Sequence, residues 1–359
     1  MIIQSEILKS WVRDVFMSKG MTFAHATQCA EVLIIADLRG IDSHGVARLS
    51  GYVRLIDKDR ITVNPTLVIE RETPSTANLN AGGAIGLVSA HHAMQIAIEK
   101  AKNCGSGWVA ISNSNHFGIA AYHAMMALEH DMIGFAITNA SPLVTPANGA
   151  ERMLGTNPIS VAIPAGKEPA FVLDMATSAA SNGKLEIAER KEVAIPEGWL
   201  IDKEGNNSKD PTELKKGGMV LTLGSDLDHG SYKGYGLSSF VDIFSGVLSG
   251  ANYGPWVPPF VSFLDPLPNL PGEGIGHFVG AWRVDGFRDI DAFKSNMDNW
   301  IQRFRNTKPI HPNTPVIIPG DPERKLHAER IVSGIPLIDK VVADLKTVAE
   351  QTGVNWPEA

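Results

Sequence analysis

Four side chains with recognisable chemistry lie close together in the segment Leu38 to Tyr52, which reads LRGIDSHGVARLSGY. An imidazole (His44), a guanidinium (Arg48) and a phenol (Tyr52) follow one another at four-residue spacing, and a serine hydroxyl (Ser43) precedes the histidine. Histidine exchanges a proton near neutral pH, and arginine presents a fork of donors that matches a carboxylate. The set would suit a small anionic substrate. A solvated helix face with a capping Ser-His pair is the other interpretation.

A helix that begins at about Ser43 is the element that must position these groups. The side chain of Asp42 or Ser43 can accept from the unpaired N–H groups of a first helical turn. At about 100° per residue, the three polar side chains lie on one side of this helix and an apolar stripe lies on another. The apolar stripe consists of Val46, Leu49, Val53 and Ile56. The predicted helix therefore packs on a core and keeps a separate polar stripe for a pocket.

A second candidate histidine, His116, lies in the polar run NSNHFG between a predicted strand and a predicted helix that extends to about His130. Polar clusters at such junctions are common sites in α/β proteins. His123 and His130 follow at intervals of seven residues. Zinc sites favour closer pairs, and no nearby carboxylate or cysteine pattern accompanies these histidines. We therefore expect no metal here, and we expect His123 and His130 at the surface.

No glycine motif for a nucleotide stands in the context that it needs. The run Gly105 to Ala110 (GSGWVA) fits the dinucleotide pattern but follows a predicted helix and opens a predicted strand. The fingerprint must instead follow a strand and open a helix, whose N-terminus holds the pyrophosphate. The run DMATSAASNGK, after the predicted strand Phe171 to Met175, could hold phosphates through backbone N–H groups. A polar strand-to-helix loop is its simpler interpretation.

Composition is that of an ordinary globular protein. The chain has 359 residues, 44% of them hydrophobic and 20% charged, which suits two domains or one large α/β unit. The net charge of −7 and the lack of a basic run argue against a nucleic-acid partner. Two cysteines predict no disulfide framework and fit the reducing cytoplasm. The amphipathic N-terminal run is not typical of a signal peptide, and the longest apolar runs are too short to predict a membrane span.

Six motifs stand in order along nearly the whole chain: RGIDSHGVARL, NSNHFGIAAY, TNASPLVTPANGAERMLGTNPIS, FVLDMATS, SYKGYGL and IPGDPERK. Together they resemble the second, non-Rossmann family of malate/L-lactate dehydrogenases. The resemblance implies an oxidoreductase that interconverts a small 2-hydroxy acid and its 2-oxo acid with NAD or NADP. Family members act on malate, lactate, sulfolactate, ureidoglycolate, diketogulonate and cyclic imino acids. We expect malate and oxaloacetate here, and the resemblance also implies a cytoplasmic homodimer.

The same resemblance implies an α/β fold of two parts. One is a non-Rossmann NAD(P)-binding domain with a largely antiparallel sheet, expected at 76–309 with a surface excursion near 197–218. The other is a helical, substrate-side domain built from both termini, expected at 1–75 together with 310–359. The Pro- and Gly-rich loop from Gly250 to Gly274 is longer than the family pattern. The sequence therefore leaves two questions open: which residues cover the substrate site, and how large the substrate can be.

Carried over position by position, the resemblance assigns roles to individual residues. At the substrate it implies Ser43, His44, Arg48 and Tyr52, with His116 opposite them. At the cofactor it implies Ser141, then Val172, Leu173, Asp174, Met175, Ala176, Thr177 and Ser178, then Tyr232 and Lys233, and last the turn Gly320, Asp321, Pro322, Glu323, Arg324, Lys325 and Leu326. These residues define the predicted active site.

Oxidation of a 2-hydroxy acid needs a base for the hydroxyl proton and a fork of donors for the carboxylate. Arg48 can supply the fork. Two histidines compete for the proton, His44 and His116. A helix start beside Arg48 favours the neutral form of His44. We therefore assign the proton to His44 and the orientation of the substrate oxygen to His116, with the reverse assignment open.

Two other classes of function compete with a dehydrogenase. A hydrolase could use Ser43 with a histidine, but direct pairing with the adjacent His44 would be awkward, and no G-x-S-x-G elbow exists. A binding module could keep the pocket without turnover. Oxidation of reduced nicotinamide by a 2-oxo acid would distinguish the dehydrogenase from both.

Overall fold

The computed structural model describes residues 1–357, which form an α/β protein. The helices are α1 (Ser5–Ser18), α2 (Phe23–Leu38), α3 (Leu49–Asp57), α4 (Gly86–Cys104), α5 (Ala120–Met125), α6 (Asn182–Lys191), α7 (Ser231–Asp242), α8 (Ile290–Arg305), α9 (Asp321–Ser333) and α10 (Asp339–Thr352). The strands are β1 (Ile2–Ile3), β2 (Val68–Glu72), β3 (Thr76–Ala84), β4 (Ser106–Ser114), β5 (Met132–Thr138), β6 (Ile159–Ile163), β7 (Phe171–Met175), β8 (Leu200–Ile201), β9 (Asn207–Ser208), β10 (Met219–Val220), β11 (Ile275–Arg283) and β12 (Ile335–Pro336). No helix in this described part is long and apolar enough to cross a membrane.

A mixed sheet forms the centre of the fold. Among the described residues its strand order is β2-β3-β4-β11-β5-β6-β7, with β3 and β4 parallel and the other neighbours antiparallel. The central strand β11 (IGHFVGAWR) is buried along most of its length. Helix α4 covers one face of the sheet, and Ile243–Val247, which continue α7, cover the other. Strand β7 lies at one edge, so its outer side is open to other segments.

The glycine pattern at Gly105 has the structural context that the sequence predicted. Gly105 ends α4 in the left-handed conformation, with φ of 87°, and β4 begins at the next residue. Glycine suits this position because it lacks the β-carbon that disfavours positive φ. The run therefore links a helix to a strand, and it cannot present a pyrophosphate to a helix N-terminus.

Both ends of the chain contribute to one helical core. Strand β1 pairs with β12, which aligns Ile3 with Ile335. Side chains of α1, α2 and α3 pack with those of α10 in a single buried cluster that includes Leu8, Leu33 and Leu345. The final two residues of the predicted segment 310–359 lie outside the described residues. The core explains why segments more than 300 residues apart in sequence act as one support beneath the turn at His44.

The excursion near 197–218 has structure of its own. Strands β8, β9 and β10 form a small antiparallel sheet. Leu200, Leu214 and Val220 are buried with neighbours in a separate apolar cluster. This small sheet packs beside α6, because the same cluster includes Leu185.

The helix that carries Tyr52 begins later than the sequence predicted. Residues 42–45 form a turn, Val46–Arg48 form a short 3-10 segment, and α3 begins only at Leu49. The predicted caps do not serve this helix. The buried carboxylate of Asp37, at the end of α2, instead accepts the hydrogen bond of the Val46 N–H at 2.8 Å. A tertiary contact therefore replaces the local cap and leaves the residues before Val46 free to form a turn.

Tyr52 and His123 are both buried, although the sequence predicts Tyr52 in a polar stripe that faces a pocket and His123 at the surface. Tyr52 is 0% exposed and packs against Phe16, with ring centroids 6.3 Å apart, so the predicted separation of polar and apolar stripes is wrong at this residue. His123 is also fully buried, and its Nε2 lies 2.9 Å from the carbonyl oxygen of Phe117. The prediction failed for His123 because α5 packs against β5 and β6 and is also contacted by α4 and α2. His130 is exposed, as predicted.

Candidate active site

Two histidines from distant segments face one small cavity. His44 lies in the turn before α3, and His116 lies in the loop between β4 and α5. Their rings stack with centroids 5.7 Å apart and an interplanar angle of 20°. The cavity has a volume of about 50 Å³, and Arg48, Ser141 and Phe260 also line it. The structure thus brings together predicted substrate residues from two separate motifs.

Hydrogen bonds fix the state of His116. Its Nδ1 lies 2.6 Å from the hydroxyl oxygen of Tyr52 and accepts from the N–H of Gly118 at 3.3 Å. Because an N–H can only donate, Nδ1 carries the lone pair, and the ring proton of neutral His116 lies on Nε2. Burial lowers the pKa of His116 well below its ordinary value, and the nearby charges of His44 and Arg48 act in the same direction. His116 is therefore neutral near pH 7 and donates through Nε2.

His44 is also neutral, and its partner is the adjacent serine. The Oγ of Ser43 lies 2.9 Å from Nδ1 of His44. The direct pairing that we expected to be awkward is therefore formed, because the two residues lie in a turn and not in a helix. Burial lowers the pKa of His44 to about 4, and the charge of Arg48 acts in the same direction. A hydroxyl can donate or accept, so Nε2 of His44 is free to be the basic nitrogen.

Arg48 binds a carboxylate of the protein itself. Its two terminal nitrogens lie 2.8 and 3.2 Å from the carboxylate oxygens of Glu186 in α6, and its Nε donates to the carbonyl of Ser43 at 2.6 Å. Burial raises the pKa of Glu186, but the charge of Arg48 and the hydrogen bonds from Arg48 and Asn182 together outweigh burial and leave that pKa below its ordinary value. The ion pair demonstrates the bidentate geometry that we predicted for a substrate carboxylate. Sequence reasoning missed Glu186, since an acidic residue in an amphipathic helix resembles an ordinary surface residue.

The first turn of α6 closes one wall of the cavity. Ser181, Asn182 and Gly183 line it. A β-carbon at Gly183 would lie 2.2 Å from the β-carbon of Ser43, so only glycine permits this approach. Within the DMATSAASNGK run, the glycine therefore permits close packing against the turn that carries Ser43 and His44.

Phe260 forms the roof of the cavity. Its ring lies 4.7 Å from the ring of His116 and 5.0 Å from that of Tyr52. Its N–H donates to Oγ of Ser141 at 2.8 Å, and its carbonyl accepts from Arg54. The hydroxyl of Ser141, a predicted cofactor contact, is therefore engaged in holding the roof. The long loop that we identified in the sequence supplies this roof, although the sequence did not indicate which of its residues would do so.

Two of the predicted cofactor segments meet across a second cavity. This cavity has a volume of about 210 Å³. Its predicted cofactor residues are Val172, Leu173 and Asp174 on the edge strand β7, and Gly320, Pro322 and Glu323 at the start of α9. The N–H of Val172 donates to the carbonyl of Pro319 at 3.1 Å, which joins the two segments. Gly320 has φ of 96°, and a β-carbon there would lie 3.2 Å from that of Val172. A glycine is needed at this turn for both reasons.

Asp174 is one of three charged residues that line this second cavity, together with Arg39 and Glu323. Its Oδ2 accepts the N–H of Ala121, the start of α5, at 2.9 Å. Burial raises the pKa of Asp174 to about 6, while the Ala121 hydrogen bond and the charge of Arg39 oppose the rise. A carboxylate so poised is an acceptor for hydroxyl donors of a ligand.

The other predicted cofactor residues are placed in three ways. The side chains of three of these residues contact other parts of the protein. Thr177 donates to the carbonyl of Asn157, Ser178 donates to the carbonyl of Ala180, and Leu326 packs against Gly40. Asp321 and Arg324 form an ion pair with each other. Met175 and Ala176 are half-buried, whereas Tyr232, Lys233 and Lys325 are exposed.

Tyr232 and Lys233 lie in the first turn of α7. This turn lies near Thr177, which follows strand β7 by two residues. The N–H of Leu223 donates to the carbonyl of Thr177 at 3.0 Å, and the hydroxyl of Thr222 donates to the carbonyl of Ser231. These bonds bring the start of α7 beside Thr177. Among residues 1–357, no group of three or more His, Cys, Asp or Glu side chains could hold a metal ion.

Comparison with known proteins identifies the family. Residues 3–346 match the profile described as malate/L-lactate dehydrogenase. The chain belongs to the malate/L-lactate dehydrogenase family. It is 42% identical to a malate dehydrogenase of Pyrococcus abyssi over 99% of this chain and 96% of that protein, and 38% identical to a malate/(S)-sulfolactate dehydrogenase of Methanothermus fervidus over 99% of both. A solved malate dehydrogenase of Entamoeba histolytica superposes with a TM-score of 0.92 at 32% identity, covering 100% of this chain and 99% of the other.

The family membership confirms the resemblance of the six motifs. It makes the protein an oxidoreductase of the hydroxy-acid dehydrogenase class with an α/β fold that has a mixed sheet. The hydrolase that would use Ser43 loses its support, even though the Ser43–His44 contact exists. A Ser-His pair needs a third group that orients the histidine, and Ser43 is the sole hydrogen-bond partner of the His44 ring within residues 1–357.

Proposed function

We propose that this dehydrogenase interconverts malate and oxaloacetate with NAD or NADP in the cytoplasm. The observation that carries the proposal is the convergence of His44, His116 and Arg48 on one small cavity. An imidazole donor, a second neutral imidazole and a guanidinium are what oxidation of a 2-hydroxy acid requires. The relatives named for malate support the choice of substrate, and two free cysteines, Cys29 and Cys104, suit a reducing compartment.

Each residue has one task in the proposed reaction. Arg48 exchanges Glu186 for a substrate carboxylate and binds it with both terminal nitrogens. His116 donates from Nε2 to the oxygen on C2 and holds that oxygen between the rings. His44 takes the hydroxyl proton on its neutral Nε2 when the acid is oxidised and returns it when the oxo acid is reduced. The nicotinamide ring, when bound, accepts or supplies the hydride.

Tyr52 supports this assignment as a positioning residue. Burial raises the pKa of its phenol well above the ordinary value, so the hydroxyl stays protonated and donates to Nδ1 of His116. Phe260 excludes water above the same ring. Because Nδ1 of His116 accepts from Tyr52, Nε2 of His116 carries the ring proton and can orient the substrate oxygen. We therefore assign the proton transfer to His44.

The residues around the second cavity fit a dinucleotide. Asp174 and Glu323 can accept from ribose hydroxyls, and the turn at Gly320 leaves space that any β-carbon would fill. Lys233 at the start of α7 offers a positive charge for phosphate oxygens. We propose that the cofactor extends from this cavity towards His116, on a mixed sheet and without a Rossmann glycine turn.

The small volume of the substrate cavity favours a small acid. The cavity has a volume of about 50 Å³. This is space for roughly four water molecules, if each occupies the smallest volume that can hold one. Malate is larger, so the Arg48–Glu186 pair or the roof at Phe260 must move when it binds. A bulky substrate such as ureidoglycolate or a cyclic imino acid would need a larger displacement than malate, lactate or sulfolactate.

We expect the purified protein to oxidise NADH or NADPH with oxaloacetate faster than with pyruvate or a cyclic imino acid. The absorbance of the reduced nicotinamide measures the rate directly. Turnover with another 2-oxo acid only would change the substrate and keep the class. Cofactor binding without turnover of any acid would indicate a binding module, and ester hydrolysis without cofactor would indicate a hydrolase.

We propose that the protein is a homodimer that uses α7 and its continuation as the interface. Ile243 and Val247 are 51% and 53% exposed, and Phe240 one turn earlier is 36% exposed. An exposed apolar stripe of this kind is typical of an interaction site. Sedimentation at micromolar concentration should give a dimer that Ile243→Glu dissociates. The matched control is Phe287→Glu, since Phe287 is exposed elsewhere. A clean monomer of the parent protein would contradict the proposal.

A further inference from the structure

A wide cleft lies against the substrate cavity. It has a volume of about 1010 Å³ and is lined by residues of α3, α6, α10 and the loop that carries Phe260. Arg48, Phe260 and Val261 line both the cleft and the cavity of His44 and His116. These three residues therefore form a wall between the two spaces. A substrate that exceeds the small cavity extends into the cleft when this wall moves.

The cleft carries an excess of positive charge, although the whole chain has a net charge of −7. Four cations in its lining pair with the four carboxylates there: Lys19 with Asp57, Arg48 with Glu186, Arg190 with Asp344 and Lys215 with Glu189. Three further cations line the cleft, namely Arg54, Lys58 and Lys340. Within residues 1–357 none of these three forms an ion pair. The surplus of positive charge favours the approach and binding of an anion.

Arg54 lies beside the roof of the substrate cavity. Its side chain donates to the backbone carbonyl of Phe260, and this is its only hydrogen bond within residues 1–357. A β-carbon at Gly51, one turn earlier on α3, would lie 2.6 Å from the Phe260 ring, so this ring packs directly on the helix. A guanidinium has five N–H donors, so most of those on Arg54 are available to a ligand.

A second arginine adds to the positive potential at this end of α3. Arg60, three residues after the helix, is half-buried and forms no ion pair in the described chain. Burial lowers the pKa of both guanidinium groups, and the charge of Arg54 lowers the pKa of Arg60 further. Two like charges without a carboxylate repel each other, and an anionic group supplied by a ligand would offset both.

We propose that the cleft binds the distal anionic group of the substrate, and that Arg54 makes the enzyme select dicarboxylic over monocarboxylic 2-oxo acids. Arg48 holds the carboxylate beside the reacting carbon, and Arg54 donates to the carboxylate at the other end. The two arginines are separated by a rise of about 9 Å along a helix, which their long side chains can span. The inference rests on the proposed function in one respect, because it takes a 2-oxo acid as the substrate.

Steady-state kinetics of Arg54→Gln with oxaloacetate and with pyruvate tests the selection. The variant should lower kcat/KM for oxaloacetate roughly 10- to 100-fold, mainly through KM, because a charge-assisted hydrogen bond to the substrate is lost. It should leave kcat/KM for pyruvate nearly unchanged, because pyruvate ends in a methyl group. Arg54→Lys keeps the charge and should recover part of the loss. NADH affinity, followed by fluorescence, should match that of the parent.

The matched control is Arg152→Gln. Arg152 is a half-buried arginine that also donates to backbone carbonyls, those of Leu214 and Gly218, and it lies outside the lining of the cleft. Any effect of this variant should be equal on the two acids. Equal losses on both acids in Arg54→Gln, or no loss on either, would overturn the proposal, since Arg54 would then only hold the roof.

Inhibition of the parent enzyme supplies a second measurement that needs no variant. Succinate has two carboxylates and no oxo group, whereas propionate has one carboxylate, so succinate should inhibit at least about tenfold more tightly. Equal inhibition by the two acids would contradict a second anion site, even if Arg54→Gln does not fold. The proposed function fails separately, if the parent protein reduces no 2-oxo acid with NADH or NADPH.

Discussion

Asparagine in place of His116 is expected to lower kcat/KM for oxaloacetate by roughly 10²–10⁴-fold, the usual contribution of a group that transfers or directs a proton. The variant removes the Nε2 donor from the cavity and leaves the Tyr52 hydroxyl without its acceptor at 2.6 Å. Steady-state kinetics with saturating NADH measures the effect. Cofactor affinity, followed by fluorescence, should stay close to that of the parent, since His116 belongs to the substrate cavity.

His44→Asn should cause a loss of similar size, and chemical rescue separates the two histidines. Added imidazole can carry a proton into the space left at position 44, but it cannot reproduce an oriented hydrogen bond. We therefore expect imidazole to restore part of the activity of His44→Asn and none of that of His116→Asn. Rescue of His116→Asn alone would reverse the assignment. Tyr52→Phe removes the hydroxyl that bonds to Nδ1 of His116, so it tests the positioning of that ring. It should lower kcat by a larger factor than it changes KM.

The pH profile follows from the lowered pKa values. Malate oxidation needs a neutral imidazole as base, and burial lowers the pKa of His44 to about 4 and that of His116 well below its ordinary value. Each ring is therefore already neutral at pH 6, where a solvated histidine would be largely protonated. We expect kcat/KM for malate in the free enzyme to hold as pH falls from 8 to below 6. A decline centred near pH 6.5 would show that the catalytic imidazole is solvated.

Arg48→Lys is the second substitution with a large expected effect. It replaces a bidentate contact with a point charge, and the loss of such a pair in a closed site costs roughly 2–5 kcal/mol, or about tenfold in kcat/KM for each 1.4 kcal/mol. The loss should appear for oxaloacetate with NADH affinity nearly unchanged. It should be smaller for the corresponding amide, which never engages the charge. Equal losses on the acid and the amide would show that Arg48 holds structure and does not bind the carboxylate.

Substitution of Glu186, the partner of Arg48, tests the same prediction, because its expected effect on KM is opposite to that of Arg48→Lys. If Arg48 must leave Glu186 to bind substrate, Glu186→Gln removes a competitor and should lower KM for oxaloacetate while Arg48→Lys raises it. The two terminal contacts of 2.8 and 3.2 Å are the ones that would be exchanged. A Glu186→Gln enzyme with raised KM would indicate that the ion pair only supports α6. The exposed pair Arg283–Asp285 supplies a control, Asp285→Asn, expected to change neither parameter.

The sequence by itself determined the family, the class of reaction and most helices. Motif blocks identify the family because several long runs stand in the right order, and local patterns identify helices because apolar spacing and terminal residues act within one or two turns. Apolar spacing and terminal residues predict helices over 5–19, 23–38, 87–104, 291–305 and about 338–353, and α1, α2, α4, α8 and α10 lie within a residue or two of these bounds. The rejection of the Gly105 turn also needed only local context. The pairing of His44 with His116 came from the resemblance, since no local pattern links residues so far apart.

Tertiary structure alone decided the details that depend on contacts between distant segments. Asp37 moved the start of the helix past Ser43, because a buried carboxylate from another helix satisfied the N–H that a local cap would have taken. Tyr52 became a core residue, because packing covered a face that helical spacing alone marked as polar. Glu186, Phe260 and Arg39 joined the candidate site only because α6, the long loop and the end of α2 come together around the two cavities. Charge and shape complementarity between remote segments has no fixed spacing in the chain, so periodicity and motif cannot reveal it.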